Sequence, residues 1–251
     1  MCDHRILEGR VVIITGASRG LGRELSLTFS DQGAHVGLLA RDIAALEEVS
    51  SQLANPSIAV PCDIATPRSL EDAFAKVNAT MGRVDAVIAN AGIAAPSSKA
   101  QNLSVTEWTR ALDVNLTGSF LTAQAAYPYL ARTGHGRLVL MSSVMAAIPR
   151  PGLAAYAATK AGIEGLTRAL AVDWARDSIC VNAIAPGFFD AGLGTAFKNS
   201  ERLRDAVHRR TLLGRFGEPR ELAMLASFLV SSASGYLTGQ TLGIDGGYGR
   251  A

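Results

Sequence analysis

Tyr156 and Lys160 stand four residues apart in an Ala-rich stretch that reads as a helix, so both side chains lie on one face. A phenol, with a reference pKa of about 10, is a poor acid–base group at neutral pH. An ammonium held beside it favours the phenolate and draws the pKa toward the working range. Ser143 precedes Tyr156 by thirteen residues and follows Leu138-Val139-Leu140-Met141, a run patterned as a buried strand. A loop punctuated by Pro149, Pro151 and Gly152 joins the two. A hydroxyl at the C-terminal end of that strand can be aimed at the same point as the phenol. The chemistry such a trio supports is proton movement to or from a carbonyl or alcohol oxygen. Tyr-x-x-x-Lys by itself is a common helix-surface pair, and Ser-Ser after a strand is commonly a turn. The joint occurrence of all three with a glycine loop elsewhere in the chain carries the reading.

That loop is Thr15-Gly16-Ala17-Ser18-Arg19-Gly20-Leu21-Gly22, which follows the first apolar run and opens the first helical stretch. Glycines there permit a sharp turn and let a pyrophosphate approach backbone amides at a helix N-terminus, where the dipole favours anions.

Short β-patterned runs alternate with helical ones from end to end. Strands are expected at 11–15, 36–40, 58–61, 84–89, 137–141, 179–184 and 241–245. Helices are expected at 20–32, 43–53, 67–81, 105–130, 153–176 and 219–229. Several strands are apolar throughout, which suits a parallel sheet covered on both faces. The pattern predicts a single α/β domain over 1–251, doubly wound and Rossmann-type, with a seven-stranded parallel sheet flanked by helices. Residues 187–217 break the rhythm and are expected to build the substrate-binding segment, since such folds place pockets beyond the C-terminal ends of strands.

The 251 residues are 48% hydrophobic and 18% charged, which suits a compact globule with a large core. A net charge of +2 gives no reason to expect nucleic acid or an acidic membrane as partner. The one basic cluster, Arg202, Arg204, His208, Arg209 and Arg210, is interrupted by Asp205. Cys2, Cys62 and Cys180 are few, odd in number and far apart, so neither a disulfide framework nor a metal site is expected. No apolar run approaches membrane-spanning length and the N-terminus lacks a signal-type apolar region, which points to the cytoplasm.

Taken together, Ser143, Tyr156, Lys160 and the Gly-x-x-x-Gly-x-Gly loop give the chain a strong resemblance to the short-chain dehydrogenase/reductases, extending over nearly its whole length. The resemblance implies a fourth catalytic residue, Asn115, holding a water in a relay from Lys160 to solvent. Asn is unfavourable in a helix interior unless something holds it. It also implies cofactor contacts from Gly16, Ser18, Arg19, Gly20, Leu21 and Gly22, from Asp63 and Ile64, from Asn90-Ala91-Gly92, from Pro186-Gly187, and from Tyr156 and Lys160. Asp245-Gly246-Gly247 matches a family segment read as structural. Family sites for NAD carry an acid after the second strand. That position is Ala40 here, followed by Arg41, which with Arg19 can bind a 2′-phosphate, so NADP(H) is expected.

The implied activity is NADP(H)-dependent interconversion of a ketone and a secondary alcohol by hydride transfer. The substrate would be a small ketone, polyol or sugar-acid compound, as Val172-Asp173-Trp174-Ala175-Arg176 resembles that branch. Met145, Ile148, Leu153, Phe188, Phe189, Leu193 and Phe197 would supply an apolar pocket. A 3-oxoacyl-(acyl carrier protein) reductase is the alternative. Gly134 and Asp177 stand where that branch has two arginines gripping the carrier, with Arg132 and Arg176 nearby. An alternative of another class is a dinucleotide-binding sensor or scaffold without turnover. The resemblance further implies a homotetramer paired through the helices of 105–130 and 153–176. Where many members place a Thr against the nicotinamide carboxamide, this chain has Ala191, leaving Thr195 as a substitute or the contact absent.

Overall fold

The computed structural model describes residues 5–94, 97–191 and 201–248. Seven strands form one parallel sheet: β1 (Val11–Thr15), β2 (His35–Ala40), β3 (Ser57–Pro61), β4 (Ala86–Ala89), β5 (Arg137–Met141), β6 (Cys180–Pro186) and β7 (Thr241–Ile244). Their order is β3-β2-β1-β4-β5-β6-β7, every pairing parallel. β1, β4 and β5 are buried at every position, as strands covered on both faces must be.

There are eight α-helices among the described residues. These are α1 (Gly20–Asp31), α2 (Ile43–Ser50), α3 (Pro67–Met81), α4 (Val105–Ala111), α5 (Gly118–Leu130), α6 (Ala154–Trp174), α7 (Glu201–Arg210) and α8 (Pro219–Val230). One core layer joins Leu70, Phe74 and Val77 of α3, Ala123, Ala126 and Leu130 of α5, and Ile163 and Leu170 of α6 to one face. The other joins Leu25 and Phe29 of α1, Leu46 and Val49 of α2, and Leu222 to Val230 of α8 to the opposite face. The chain runs outward from β1 to β3, then returns to lay β4 on the other side of β1. That reversal opens a crevice at the C-terminal ends of β1 and β4, where folds of this kind bind ligands.

Most boundaries shift by one to three residues, and four differences have a clear physical cause. The stretch 105–130 is not one helix: α4 and α5 are separated by a π-helical turn, Leu112–Thr117. β4 begins at Ala86, because the buried Asp85 carboxylate accepts from Val11 N at 2.9 Å, Arg83 Nε at 3.0 Å and the His135 ring at 3.2 Å. β6 runs on to Pro186, since its last residues pair with Gly243 and Ile244 of β7. A prolyl ring removes a donor but leaves the carbonyl available, so it ends this strand rather than preceding its end. The irregular segment contains α7, whose sequence is mostly charged and shows little apolar period, though Val207 is buried. Its ends are pinned where Phe189 bridges Gly217. Cys2, Leu193, Thr195 and Phe197 lie outside the described residues.

Candidate active site

The glycine turn sits at the crevice and is tied to the segment after β4. Thr15 Oγ1 accepts the amides of Asn90 and Ala91, each at 3.0 Å, and Asn90 Nδ2 donates to Thr15 O at 2.9 Å. The approach is close enough to exclude side chains. A Cβ on Gly22 would lie 2.1 Å from Gly16 O, and one on Gly16 would lie 2.9 Å from Ala91 Cα. Gly16 and Gly20 also take positive φ, 68° and 58°. Amides of Gly16 and Ala17 both bond Leu39 O, which brings the turn beside the end of β2. Arg19, in extended conformation, is the N-cap of α1, and Ser18 and Leu21 flank the turn. Arg41 follows β2 directly. Arg19 and Arg41 are both exposed, and neither has an ion-pair partner among the described residues. A helix N-terminus without a side-chain cap, bare backbone and two unpaired guanidiniums fit a dinucleotide carrying an extra phosphate.

Other expected contacts fall on the same rim. Asp63 is exposed and accepts from Ala65 N at 3.0 Å, so its carboxylate also shapes a turn. Ile64 is buried against Gly118, where a Cβ would stand 2.8 Å from its Cδ1. Pro186 ends β6, and Gly187 donates to Ile244 O at 2.9 Å. A Cβ on Gly187 would meet Asp245 Cα at 2.6 Å, so the Asp245 turn dictates the glycine.

The chemical residues converge from three elements. Ser143 follows β5, accepts from Met145 N at 3.2 Å and lies close enough to the Tyr156 phenol to favour its ionised form. Tyr156 and Lys160 stand one turn apart on α6. Lys160 is buried, its Nζ donating to Met141 O at 2.7 Å and lying 5.6 Å from the Tyr156 ring centroid. Burial draws the Lys160 pKa down to about 8. Burial pushes the Tyr156 phenol up, and the nearby Ser143 hydroxyl opposes that rise. The expectation that the ammonium lowers the phenol is therefore not what the chain's own geometry produces. The ammonium is directed at a backbone carbonyl, and desolvation dominates both groups.

Asn115, fully buried, occupies the π-helical turn. Its Oδ1 accepts from Ile93 N at 2.8 Å and its Nδ2 donates to Ile93 O at 3.0 Å. The amide thus clamps the strand β4 exit, and its backbone oxygen accepts from Ser119 Oγ at 2.7 Å. The backbone oxygen keeps a second lone pair, to which the water implied by the resemblance can donate. Gly92 sits between Asn115 and Lys160, where a Cβ would lie 3.1 Å from Asn115 Oδ1 and 3.9 Å from Lys160 Nζ.

Several residues at the site were not singled out from sequence. Ser142 Oγ donates to Glu164 Oε1 at 2.9 Å and to Lys160 O at 3.2 Å, bracing β5 against α6. Glu164 lies one helical turn beyond Lys160, and that spacing is the sequence signal for it. Tyr248, just past the segment read as structural, is buried with Val144 and Met145, and Tyr156 packs on that cluster.

A strand–turn–helix nucleotide crevice beside a Ser, Tyr and Lys constellation defines an oxidoreductase of the nicotinamide-dependent kind, and the comparisons with known proteins agree. The family model described as "Enoyl-(Acyl carrier protein) reductase" matches residues 16–249. The chain is 36% identical over 248 residues to the 3-oxoacyl-[acyl-carrier-protein] reductase FabG of Thermotoga maritima, covering 96% of this chain and 98% of that one. It is 32% identical over 244 residues to the gluconate 5-dehydrogenase of Gluconobacter oxydans, covering 96% and 95%. A gluconate 5-dehydrogenase from Burkholderia cenocepacia, solved with NADP and tartrate, superimposes with a TM-score of 0.93 at 32% identity over 100% of both chains. The chain belongs to the short-chain dehydrogenase/reductase family.

Proposed function

We propose that the protein is an NADP(H)-dependent oxidoreductase that interconverts a ketone and a secondary alcohol on a small molecule. The observation that carries this is the meeting of Ser143, Tyr156 and Lys160 at the end of β5, beside the crevice between β1 and β4. The bound dinucleotide supplies or accepts the hydride. Ser143 orients the carbonyl oxygen, and Tyr156 gives or takes its proton. Lys160, with a pKa of about 8, exchanges protons readily near neutral pH and is the group through which Tyr156 is recharged. Asn115 positions the loop after β4 through Ile93. Arg41 and Arg19 hold the 2′-phosphate, which favours NADP(H) over NAD(H).

The alternative acyl-carrier substrate is disfavoured by Asp177, a carboxylate where an acidic carrier would need a cation; it is also bonded by Tyr127 OH at 2.9 Å. Arg132 lies over the Tyr129 ring, at 5.0 Å. A sensor without turnover would not need the complete catalytic set. The domain spans 1–251 with its substrate segment at 187–217, and we place it in the cytoplasm.

A homotetramer is supported by exposed apolar side chains on α4, α5 and α6, namely Val105, Trp108, Phe120, Tyr127 and Val172, and by Met224, Phe228 and Tyr236 on α8 and beyond it. Light scattering at micromolar concentration tests this; a monomer refutes it. Loss of NADPH absorbance with a panel of ketones and 3-oxoacyl thioesters tests the activity. Turnover of ketones is expected; consumption with none of the panel overturns the reading.

A further inference from the structure

Tyr248 is fully buried, yet it stands in a glycine turn rather than in a helix or strand. Gly246 and Gly247 both take positive φ, 62° and 79°, and Asp245 Oδ1 accepts from Gly247 N at 2.9 Å. Tyr248 N donates to Asp245 O at 3.2 Å, which folds the chain back at this point. The segment leaving α7 is docked on the same turn, because Leu213 N donates to Gly246 O at 3.1 Å. The missing side chains make room for it. A Cβ on Gly246 would meet Thr211 Cγ2 at 2.7 Å, and one on Gly247 would meet Leu212 Cδ1 at 2.7 Å.

Two links run from α7 to the Tyr248 ring. Arg210, the last residue of α7, donates from Nη1 to Tyr248 OH at 3.3 Å, and its Cζ lies 5.4 Å from the ring centroid. His208 meets Phe216 edge-on at 5.6 Å, Phe216 meets Phe188 edge-on at 6.4 Å, and Phe188 lies 5.2 Å from Tyr248. Tyr248 also forms one buried cluster with Val144 and Met145, against which Tyr156 packs. Val144 and Met145 follow Ser143 directly, and Met145 N donates to Ser143 Oγ at 3.2 Å. A shift of that turn therefore moves the hydroxyl that has to face the carbonyl oxygen, and a close-packed cluster transmits such a shift rather than absorbing it.

Resting on the ketone–alcohol reading above, we propose that Tyr248 is a positioning residue that couples α7, in the substrate-binding segment, to the turn carrying Ser143. Its hydroxyl and ring face hold α7 through Arg210. Its ring also keeps Val144 and Met145 where they aim Ser143 at the substrate oxygen, so Tyr248 acts through Ser143 and not on the reacting atoms. Hydroxyl and ring divide the work. Loss of the hydroxyl loosens α7, whereas loss of the whole ring also releases the Ser143 turn.

Two measurements test the coupling, and the first needs no turnover. Amide hydrogen exchange of the apoprotein is compared in wild type, Tyr248→Phe, Arg210→Gln and Arg210→Lys. The amides of Ala146, Ala147 and Ile148 bond Ser143 O and Val144 O, so their exchange reports opening of the Ser143 turn. Tyr248→Phe and Arg210→Gln should each speed exchange in α7 by roughly three- to tenfold, and at these three amides by at least about twofold. Arg210→Lys, which keeps a cation on the ring, should recover part of both changes. Faster exchange in α7 with none at the three amides overturns the proposal, as does no change in either place.

The second measurement is steady-state reduction of ethyl acetoacetate and cyclohexane-1,2-dione by NADPH. Tyr248→Phe and Arg210→Gln should raise KM by roughly three- to tenfold and alter kcat less than KM. Tyr248→Leu should instead lower kcat by at least roughly tenfold, while NADPH affinity by fluorescence titration stays within about twofold. A wild-type kcat in Tyr248→Leu, or the same kcat loss in Tyr248→Phe as in Tyr248→Leu, overturns the proposal and leaves the oxidoreductase reading intact. Turnover of no carbonyl compound removes that reading, and the exchange rates then decide the coupling by themselves. Should Tyr248→Leu fail to fold, Tyr248→Phe and Arg210→Gln decide.

Discussion

Replacing Lys160 by Met should change how stability depends on pH in a way that reports the buried ammonium directly. Met is similar in length and unbranched, so it fills the same channel without charge. The folded lysine has a pKa of about 8, against 10.5 for its ordinary value, because burial disfavours the charged form. That gap corresponds to about 3 kcal/mol between the two protonation states. Between pH 8 and 10.5 the folded chain binds fewer protons at this site than the unfolded chain. Wild-type stability therefore rises with pH through that window relative to the Met variant, and below it the two run parallel. Between pH 7 and pH 9 the relative gain is about 1 kcal/mol, a rise of a few degrees in melting midpoint for a chain of this size. The offset at pH 7 mixes relief of the buried charge with loss of the bond to Met141 O, so the pH slope, not the offset, carries the test. Thermal and urea unfolding of both apoproteins at pH 6, 7, 8 and 9 measures it. Parallel curves across the whole range refute the depressed pKa and, with it, the case for Lys160 as the proton-exchanging group.

Three further outcomes are expected. Tyr156→Phe should lower kcat by about 10²–10⁴-fold while NADPH binding, followed by fluorescence titration, stays nearly unchanged; retention of a tenth of the rate places the proton donor elsewhere. Arg41→Asp removes one charge-assisted phosphate contact of about 1.5–3 kcal/mol and adds a repulsive carboxylate. It should shift kcat/KM from NADPH toward NADH by at least roughly tenfold, and an unchanged ratio means the 2′-phosphate lies away from Arg41. Gly22→Ala drives a Cβ into Gly16 O, a backbone atom that cannot step aside, so destabilisation of about 1–3 kcal/mol and weakened NADPH binding are expected together. A wild-type melting midpoint with unaltered NADPH titration would show that the turn is not as closely packed as described.

The sequence by itself determined the parallel sheet, the glycine turn and the Ser, Tyr and Lys set. Each is encoded in neighbouring residues: runs such as VVIIT and RLVLM are apolar on both faces, Gly16 and Gly22 carry no Cβ, and Tyr156 and Lys160 are one helical turn apart. Asn115 was legible as an anomaly inside a helical stretch. The π-helical turn around it was not, because that turn depends on Ile93, which lies 22 residues earlier in the chain, accepting and donating at the right depth. Likewise, spacing placed Lys160 beside Tyr156 but could not say that burial, rather than mutual charge, governs both. The buried cluster against Tyr156 is the clearest case. Met145 and Phe188 were read as apolar candidates, while Tyr248, Arg150 and Arg210 carried no local signal, since they come from a loop, a chain end and a helix that meet only on folding. Local pattern records what a residue's own turn of helix or strand requires. Which distant side chains share a surface is decided by strand order and by how the elements after β5, β6 and β7 converge on one edge of the sheet.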